Sequence, residues 1–462
     1  MPKDDTFRSM HPPRTRVEGT TQKINWLEVG SACDKLSLMK RPLLMLMVLL
    51  LIAPLWALSI VPRVTEQPFD SVKELGAVDF SKPLAPNQQA WVDKTEVQLL
   101  TVGPGDPLYA WFGHSALIVT QPSGTRIMYD WGIFDPNQKH FYLNFAQGRM
   151  YYYVVASEAG WRIEEALEEN RDVKLAKLDF PPEAKFALIS FLQRHIKTEY
   201  STYLYHFYYD NCATRIRDII NAATEGEFQA WAEAQAAEDS LRSVTLPNMI
   251  HSPLVFWVLD FLQGKTIDKP MNRYEELFLP EKLHQAVVDF AAEQQEGFAI
   301  STEVLQEVDD QAVRFAVQEG KGSYVWAYAL AGLGSGALLL LLKRWLPKAM
   351  RLLLGLLLLA LAVLGTLLLF MMLFSDMDMT YFNENILFVH PLLAIPAFGF
   401  LFRKKDQSRM LGFSVLVMAL LVAMKLFVPA ATLQDNLRTI ALLLPIYCSG
   451  ASFQRRSKSQ KA

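Results

Sequence analysis

The sequence predicts an α+β extracytoplasmic domain fused to an all-α polytopic membrane domain. Three observations lead there. Residues 325–453 are dominated by apolar runs, whereas residues 62–324 have the mixed composition of a globular domain. The segments joining the apolar runs alternate between basic and acidic. Of three cysteines, only Cys212 falls in the globular part.

The chain has 462 residues, 51% of them hydrophobic and 20% charged, with a formal net charge of −3. This excludes a disordered chain and a disulfide-stapled scaffold. It also leaves no electrostatic basis for binding nucleic acid. Residues 1–41 are polar and aperiodic, and read as a cytoplasmic extension or as sequence upstream of a start at Met39. Pro42–Val61 is twenty residues without a charge, preceded by Met39-Lys40-Arg41. That length suits a signal anchor or a signal peptide, and the anchor is favoured because Leu55 is a poor residue two positions before the candidate cleavage site at Ala57.

Five further runs follow: Val325–Leu342, Leu352–Phe374, Leu387–Phe402, Met410–Val428 and Ile440–Phe453. Lys343, Arg344, Lys348 and Arg351 fill the first connection, and Arg403, Lys404, Lys405 and Arg409 the third. The second, Ser375–Ile386, carries Asp376, Asp378 and Glu384 and no base. Basic connections stay in the cytoplasm. The pattern therefore places Ser375–Ile386 and the domain 62–324 outside it, and the basic tail 454–462 inside. A five-helix membrane domain, 325–453, is expected.

Cys212 has no disulfide partner in its domain, so its thiol is either inert in the core or chemically useful. Its setting favours use. An aromatic extended stretch, Tyr205–Tyr209, ends at Asp210-Asn211, both good N-cap residues. Ile216, Ile219, Ile220 and Ala223 then follow at helical spacing. Cys212 is thus expected in the first turn of a helix, where free N–H groups and the macrodipole favour a thiolate and can hold an oxyanion.

A thiolate nucleophile needs a base, and the domain offers His114, His140, His195, His206, His251 and His284. His195 is expected on the solvated face of an amphipathic helix beginning near Pro182. His206 lies among aromatics, and His140, His251 and His284 default to the surface. His114 stands apart. It follows Gly103-Pro104-Gly105-Asp106 and Trp111-Phe112-Gly113, and it opens a β-rich run through Ala116–Thr120. The turn Gln121-Pro122-Ser123-Gly124 leads to a second strand, Arg126–Trp131. Asp130, 16 residues after His114, falls on the paired strand and could fix the imidazole tautomer. A plain strand-end carboxylate remains the alternative for Asp130. No metal-ligand spacing, phosphate loop or serine elbow occurs, so neither metal nor cofactor is expected.

Together these stretches resemble the Lnb-type lipoprotein N-acyltransferases. The matching blocks are Gly103–Asp106 with Trp111–Ser115, then Tyr129–Gly132 with Phe134-Asp135. They continue with Tyr209–Cys212 and Thr214–Asp218, and end with Asn383-Glu384-Asn385 and Pro391. The resemblance covers roughly 90–453 and implies a circularly permuted papain-like (NlpC-type) fold, with histidine preceding cysteine. It implies an enzyme of the bacterial inner membrane whose Cys212 takes an acyl group, with phospholipid as donor, and whose His114 shuttles the proton. The acyl group would pass to the α-amine of a lipoprotein's diacylglyceryl-cysteine. The polar loop holding Asn383, Glu384 and Asn385 could line a lipid entrance, or could be a plain solvated loop. Two other readings stand beside this one: a membrane-anchored cysteine peptidase or amidase acting on cell-wall peptide, and a non-enzymatic envelope assembly protein. A transporter is disfavoured because the runs hold few ionisable residues beyond Lys425 and His390.

Overall fold

The computed structural model describes residues 82–453 apart from 138, 198–199, 250–251, 294–297, 309–323, 403–407 and 428–432. The N-terminal extension with Cys33, the first apolar run, His251, Arg403, Lys404, Lys405 and the basic tail lie outside the described residues.

The globular part is built on a seven-stranded sheet. Its strands are β1 (Glu96–Val102), β2 (His114–Thr120), β3 (Arg126–Ile133), β4 (Tyr151–Glu158), β5 (Val173–Asp179), β6 (Thr202–Leu204) and β9 (Ala299–Gln306). Their order is β6-β4-β3-β2-β1-β5-β9, and every neighbouring pair is antiparallel. A separate ribbon joins β7 (Ala236–Ser240) to β8 (Pro270–Asn272).

Both faces of the sheet are covered. Val97, Leu99, Leu117, Val119, Tyr129 and Trp131 pack with residues of α2 (Pro182–His195), α3 (Cys212–Ala223) and α6 (Pro280–Glu293). Leu100, Val102, Ala116, Ile118 and Met128 pack with Ile163 and Ala166 of α1 (Gly160–Glu168) on the opposite side. That explains why Ala116–Val119 of β2 reads as a continuous apolar run rather than as an alternating strand. Each fully buried Val, Leu or Ile contributes about 1.5–3 kcal/mol. The expected stripe on α3 is present, with Ile216, Ile219, Ile220 and Ala223 all buried.

Two helices, α4 (Leu241–Met249) and α5 (Pro253–Leu262), precede the apolar region. That region contains α7 (Val325–Trp345), α8 (Pro347–Phe374), α9 (Ala394–Phe402), α10 (Ser408–Phe427) and α11 (Leu437–Ala451). Gly332 and Gly336 of α7 face the backbone of α11: a Cβ there would stand 2.5 Å from Ala441 O and 2.9 Å from Pro445 O. This is the close approach that small residues permit between membrane helices.

Among the described residues, four helical segments, not five, are long and apolar enough to cross a membrane: Val325–Trp345, Pro347–Phe374, Glu384–Phe402 and Ser408–Phe427. The third is irregular at its start, with short turns at Glu384–Leu387 and Pro391–Leu393 before α9. The expected fifth run forms α11, 15 residues long. The run itself, Ile440–Phe453, is only 14 residues, and the first turn of the helix lies ahead of it. Arg438 is fully buried and donates from Nε to Asp260 Oδ2 of α5 at 2.8 Å. Asp260 Oδ1 also accepts from Arg242 Nη1 at 2.7 Å, and Arg242 Nε donates to Asp268 Oδ1 at 2.6 Å.

These four charged groups join the globular part to the apolar part where no water can replace a lost partner. Asp260→Ala leaves two buried guanidinium groups without their shared carboxylate, and is expected to destabilise the protein by about 3–5 kcal/mol. Thermal unfolding of the detergent-solubilised protein measures this. Melting unchanged from wild type would mean that the network contributes nothing net.

The acidic connection after α8 lies against the globular domain. Asp376 N donates to Gln147 O at 2.8 Å, and Gly264 N to Met379 O at 2.7 Å. Arg149 Nε donates to Asp376 Oδ2 at 3.3 Å, and His206 Nε2 lies 3.1 Å from Asp378 Oδ1. The connection that charge alternation places opposite the basic ones thus touches the domain, as a shared side of the membrane requires.

Candidate active site

Cys212 is the first residue of α3, and the sequence before it makes the start abrupt. Asn211 Oδ1 accepts from the N–H groups of Ala213 and Thr214, both at 2.9 Å. Thr214 Oγ1 in turn accepts from Asn211 N at 2.7 Å. Asn211 Nδ2 donates to the carbonyls of Phe207 and Phe278, which fixes the cap in the surrounding chain. The cap consumes the second and third N–H groups of the helix and leaves that of Cys212 directed by the first turn. Asp210 braces the approach by pairing with the Arg215 guanidinium, which also lies over the Tyr203 ring at 4.3 Å.

His114 opens β2. The residue before it, Gly113, has φ +77°, and a Cβ there would meet Val102 O at 2.7 Å. Only glycine fits that corner. Asp130 sits on β3 opposite Ala116, so the hairpin register brings it beside the imidazole. His114 Nε2 and Asp130 Oδ1 are 2.5 Å apart, and Asp130 is completely buried. The imidazole also lies close enough to the Cys212 sulfur for its charge to act on the ring. With Nε2 taken by Asp130, the ring nitrogen left for sulfur is Nδ1. The ring keeps 21% exposure, so a substrate carbonyl can reach the pair.

The electrostatics favour a charged imidazole. Burial works against it, but the Asp130 carboxylate and then the Cys212 sulfur overcome that penalty and push His114 up to about 10. For Asp130, burial alone would raise its pKa. The His114 charge and hydrogen bond, together with Arg162, hold it below the usual carboxylate range. Arg162 Nη2 donates to Asp130 Oδ2 at 2.8 Å, so both carboxylate oxygens are engaged.

Because the folded His114 lies above its ordinary value of 6.5, its contribution to stability is fully present below about pH 6.5. It is lost as pH rises through about 10. NMR titration of the His114 ring is expected to show a transition well above that of an exposed histidine. A transition near the ordinary value would contradict the charged pair.

Arg162 was not among the residues singled out from sequence. A signal existed. It is the third residue of α1, and a cation in a first helical turn opposes the macrodipole unless an anion faces it. His195, expected on a solvated face, is instead buried. Its Nε2 accepts from Trp131 Nε1 at 3.3 Å and its ring stacks on Phe191. Burial, with Arg215 nearby, drives it down to about 3 and keeps it neutral. His284, assigned by default to the surface, is also buried, with Nδ1 3.1 Å from Thr101 Oγ1. His140 is exposed.

Asn383, Glu384 and Asn385 bond to α5, α10 and the chain just before α11. Asn383 Nδ2 and Asn385 Nδ2 both donate to Phe261 O, at 2.8 and 3.0 Å. Glu384 Oε1 accepts from Gln434 N at 2.9 Å and Oε2 from Lys425 Nζ at 3.3 Å. All three shape the connection between α8 and α9. Among the described residues no cluster of histidine, cysteine and carboxylate side chains is suited to a metal ion. The described cysteines, Cys212 and Cys448, are both free.

No curated protein and no solved structure matches the chain. Two family descriptions do. Residues 85–247 match the Lnb N-terminal periplasmic domain, and residues 326–457 match the Lnb transmembrane domain. The first match takes in β1 to β6 with His114, Asp130, Arg162 and Cys212. The second takes in all five helices of the apolar region. The chain therefore belongs to the Lnb family, as a membrane protein that carries an extracytoplasmic domain on a helical transmembrane domain.

Proposed function

We propose that this protein is a thiol acyltransferase of the bacterial inner membrane that N-acylates lipoproteins. The observation that carries the reading is the Cys212–His114–Asp130 arrangement: a thiol in the first turn of a helix, beside an imidazole held by a buried carboxylate. Histidine ahead of cysteine along the chain agrees with a circularly permuted papain-like domain. The family gives the setting, in which lipoprotein modification occurs at a membrane surface.

The reaction has two halves. In the first, Cys212 sulfur attacks the carbonyl carbon of a phospholipid acyl ester. A C–S bond forms, the ester C–O bond breaks, and the His114 proton passes to the departing lysolipid oxygen. The Cys212 N–H at the helix start stabilises the tetrahedral oxyanion. In the second, the α-amine of the diacylglyceryl-cysteine attacks the thioester. An N–C bond forms, the C–S bond breaks, and the amine proton returns to His114, regenerating the starting pair. Sulfur leaves more readily than oxygen, which suits transfer to an amine. Asp130 keeps the proton on the correct nitrogen, and Arg162 keeps Asp130 ionised. Asn383, Glu384 and Asn385 hold the shape of the outer connection beside the lipid phase.

Mass spectrometry of lipoprotein N-termini from cells with and without this protein tests the proposal. An N-linked acyl group present only with the protein is the expected result. Identical N-termini in both would remove it.

A further inference from the structure

The route by which an acyl chain reaches Cys212 is marked by a file of aromatic rings that the chemistry above does not use. Tyr142 and Phe141 lie on a short helix, Phe141–Ala146, with Tyr142 87% exposed. From there the rings touch in sequence. Phe141 contacts Tyr142 edge-on at 5.5 Å and stacks with Phe134 at 6.0 Å. Phe134 stacks on Tyr152 at 4.9 Å, and Tyr152 on Tyr205 at 4.3 Å. Tyr205 and Tyr152 pack, with Cys212, against the domain core, and Tyr205 lies close enough to Cys212 to feel its charge. Phe134, Phe141, Tyr152, Tyr205 and Cys212 are all half-buried.

The outer end of this file adjoins the membrane region. The short helix runs directly into Gln147 and Gly148. Gln147 O accepts from Asp376 N, two residues after the end of α8 at Phe374. At Gly148 a Cβ would collide with Met377 at 2.6 Å. The file therefore begins beside the outer end of a membrane-crossing helix and finishes at the nucleophile. Its four ring-to-ring steps of 4.3–6.0 Å give it a reach comparable to that of one lipid acyl chain, roughly 15 Å.

We propose that Tyr142, Phe141, Phe134, Tyr152 and Tyr205 form the acyl-chain track of this enzyme. A lipid's hydrocarbon chain lies along the exposed edges of these rings, with its ester carbonyl delivered to Cys212. This rests on the acyl-transfer reading above and specifies its donor site. A row of stacked, half-buried rings with exposed edges suits a flexible hydrocarbon: it offers continuous apolar contact without a hydrogen-bond pattern to satisfy. The acyl chain is the favoured occupant over a peptide because Tyr151–Tyr153, the stretch of β4 that carries Tyr152, is already paired with β6 and offers no free backbone for a peptide to join there.

The test uses the full-length protein in phosphatidylethanolamine vesicles and reads acylation of Cys212 by intact-protein mass spectrometry. Two donors are compared: dipalmitoyl lipid, and soluble dihexanoyl lipid, whose chains are too short to span the track. The variants are Phe134→Leu, which keeps an apolar side chain but loses the ring, and Tyr142→Ser, whose exposed position leaves the fold unaffected. The expected result is a fall of roughly tenfold or more in the rate with the palmitoyl donor, and little change with the hexanoyl donor. Equal rates in variant and wild type, or equal losses with both donors, would overturn the track. Absence of any acyl adduct on wild-type Cys212 with either donor would instead overturn the acyl-transfer reading itself.

Discussion

Replacing Cys212 with alanine, or His114 with glutamine, is expected to lower N-acylation by at least about 10³-fold, with the fold retained. The two side chains act as one unit, since the sulfur attacks only when the imidazole takes its proton and the leaving group departs only when that proton is returned. Their losses should therefore not add. The double variant Cys212→Ala/His114→Gln should be no slower than either single one. Rates measured on reconstituted protein, with thermal unfolding as a control, decide the matter. Full activity of Cys212→Ala in cells would favour a non-enzymatic role, and a double variant far below both singles would show that the residues act separately.

Asp130→Asn is expected to reduce the rate by about 10³–10⁴-fold while leaving the hairpin intact. The carboxylate accepts from His114 Nε2, so the proton that faces sulfur is the one that moves. An amide rotated to donate at that position would force the opposite tautomer. The substitution also removes the chief charge that holds His114 near 10, so its titration should shift towards the ordinary value. Arg162→Leu gives a milder version of the same defect, because it frees one carboxylate oxygen without removing the other's bond to histidine. A wild-type rate for Asp130→Asn would reduce Asp130 to a strand-end carboxylate.

Much of this arrangement could be read from local pattern. Gly113-His114 before a β-rich run marks a strand start at a corner, and Asp210-Asn211 before Cys212 marks a helix start. Both signals involve residues within a few positions of one another. Asp130 could be reached because a tight turn makes strand pairing nearly a matter of counting. Long-range packing was less accessible. His195 looked solvated because its own helix is amphipathic, yet Trp131 from the sheet closes over it. Arg162 arrives from a helix whose position over β3 depends on the whole sheet order. The role of Arg438 could not be foreseen either. It stands just ahead of the apolar run Ile440–Phe453, and only the folded chain brings Asp260, 178 residues away, to meet it. The aromatic file is likewise assembled from four separate stretches of chain.

The hydrogen bonds between the domain and the loop after α8 have one further consequence. Because Gln147, Gly264 and Phe261 grip that loop through backbone atoms, the thiol stands at a constant height above the lipid surface. Partners anchored in the same sheet of lipid then meet it by planar diffusion. Turnover should follow the number of lipid-borne molecules per unit area, and diluting the vesicles in buffer should leave it unchanged.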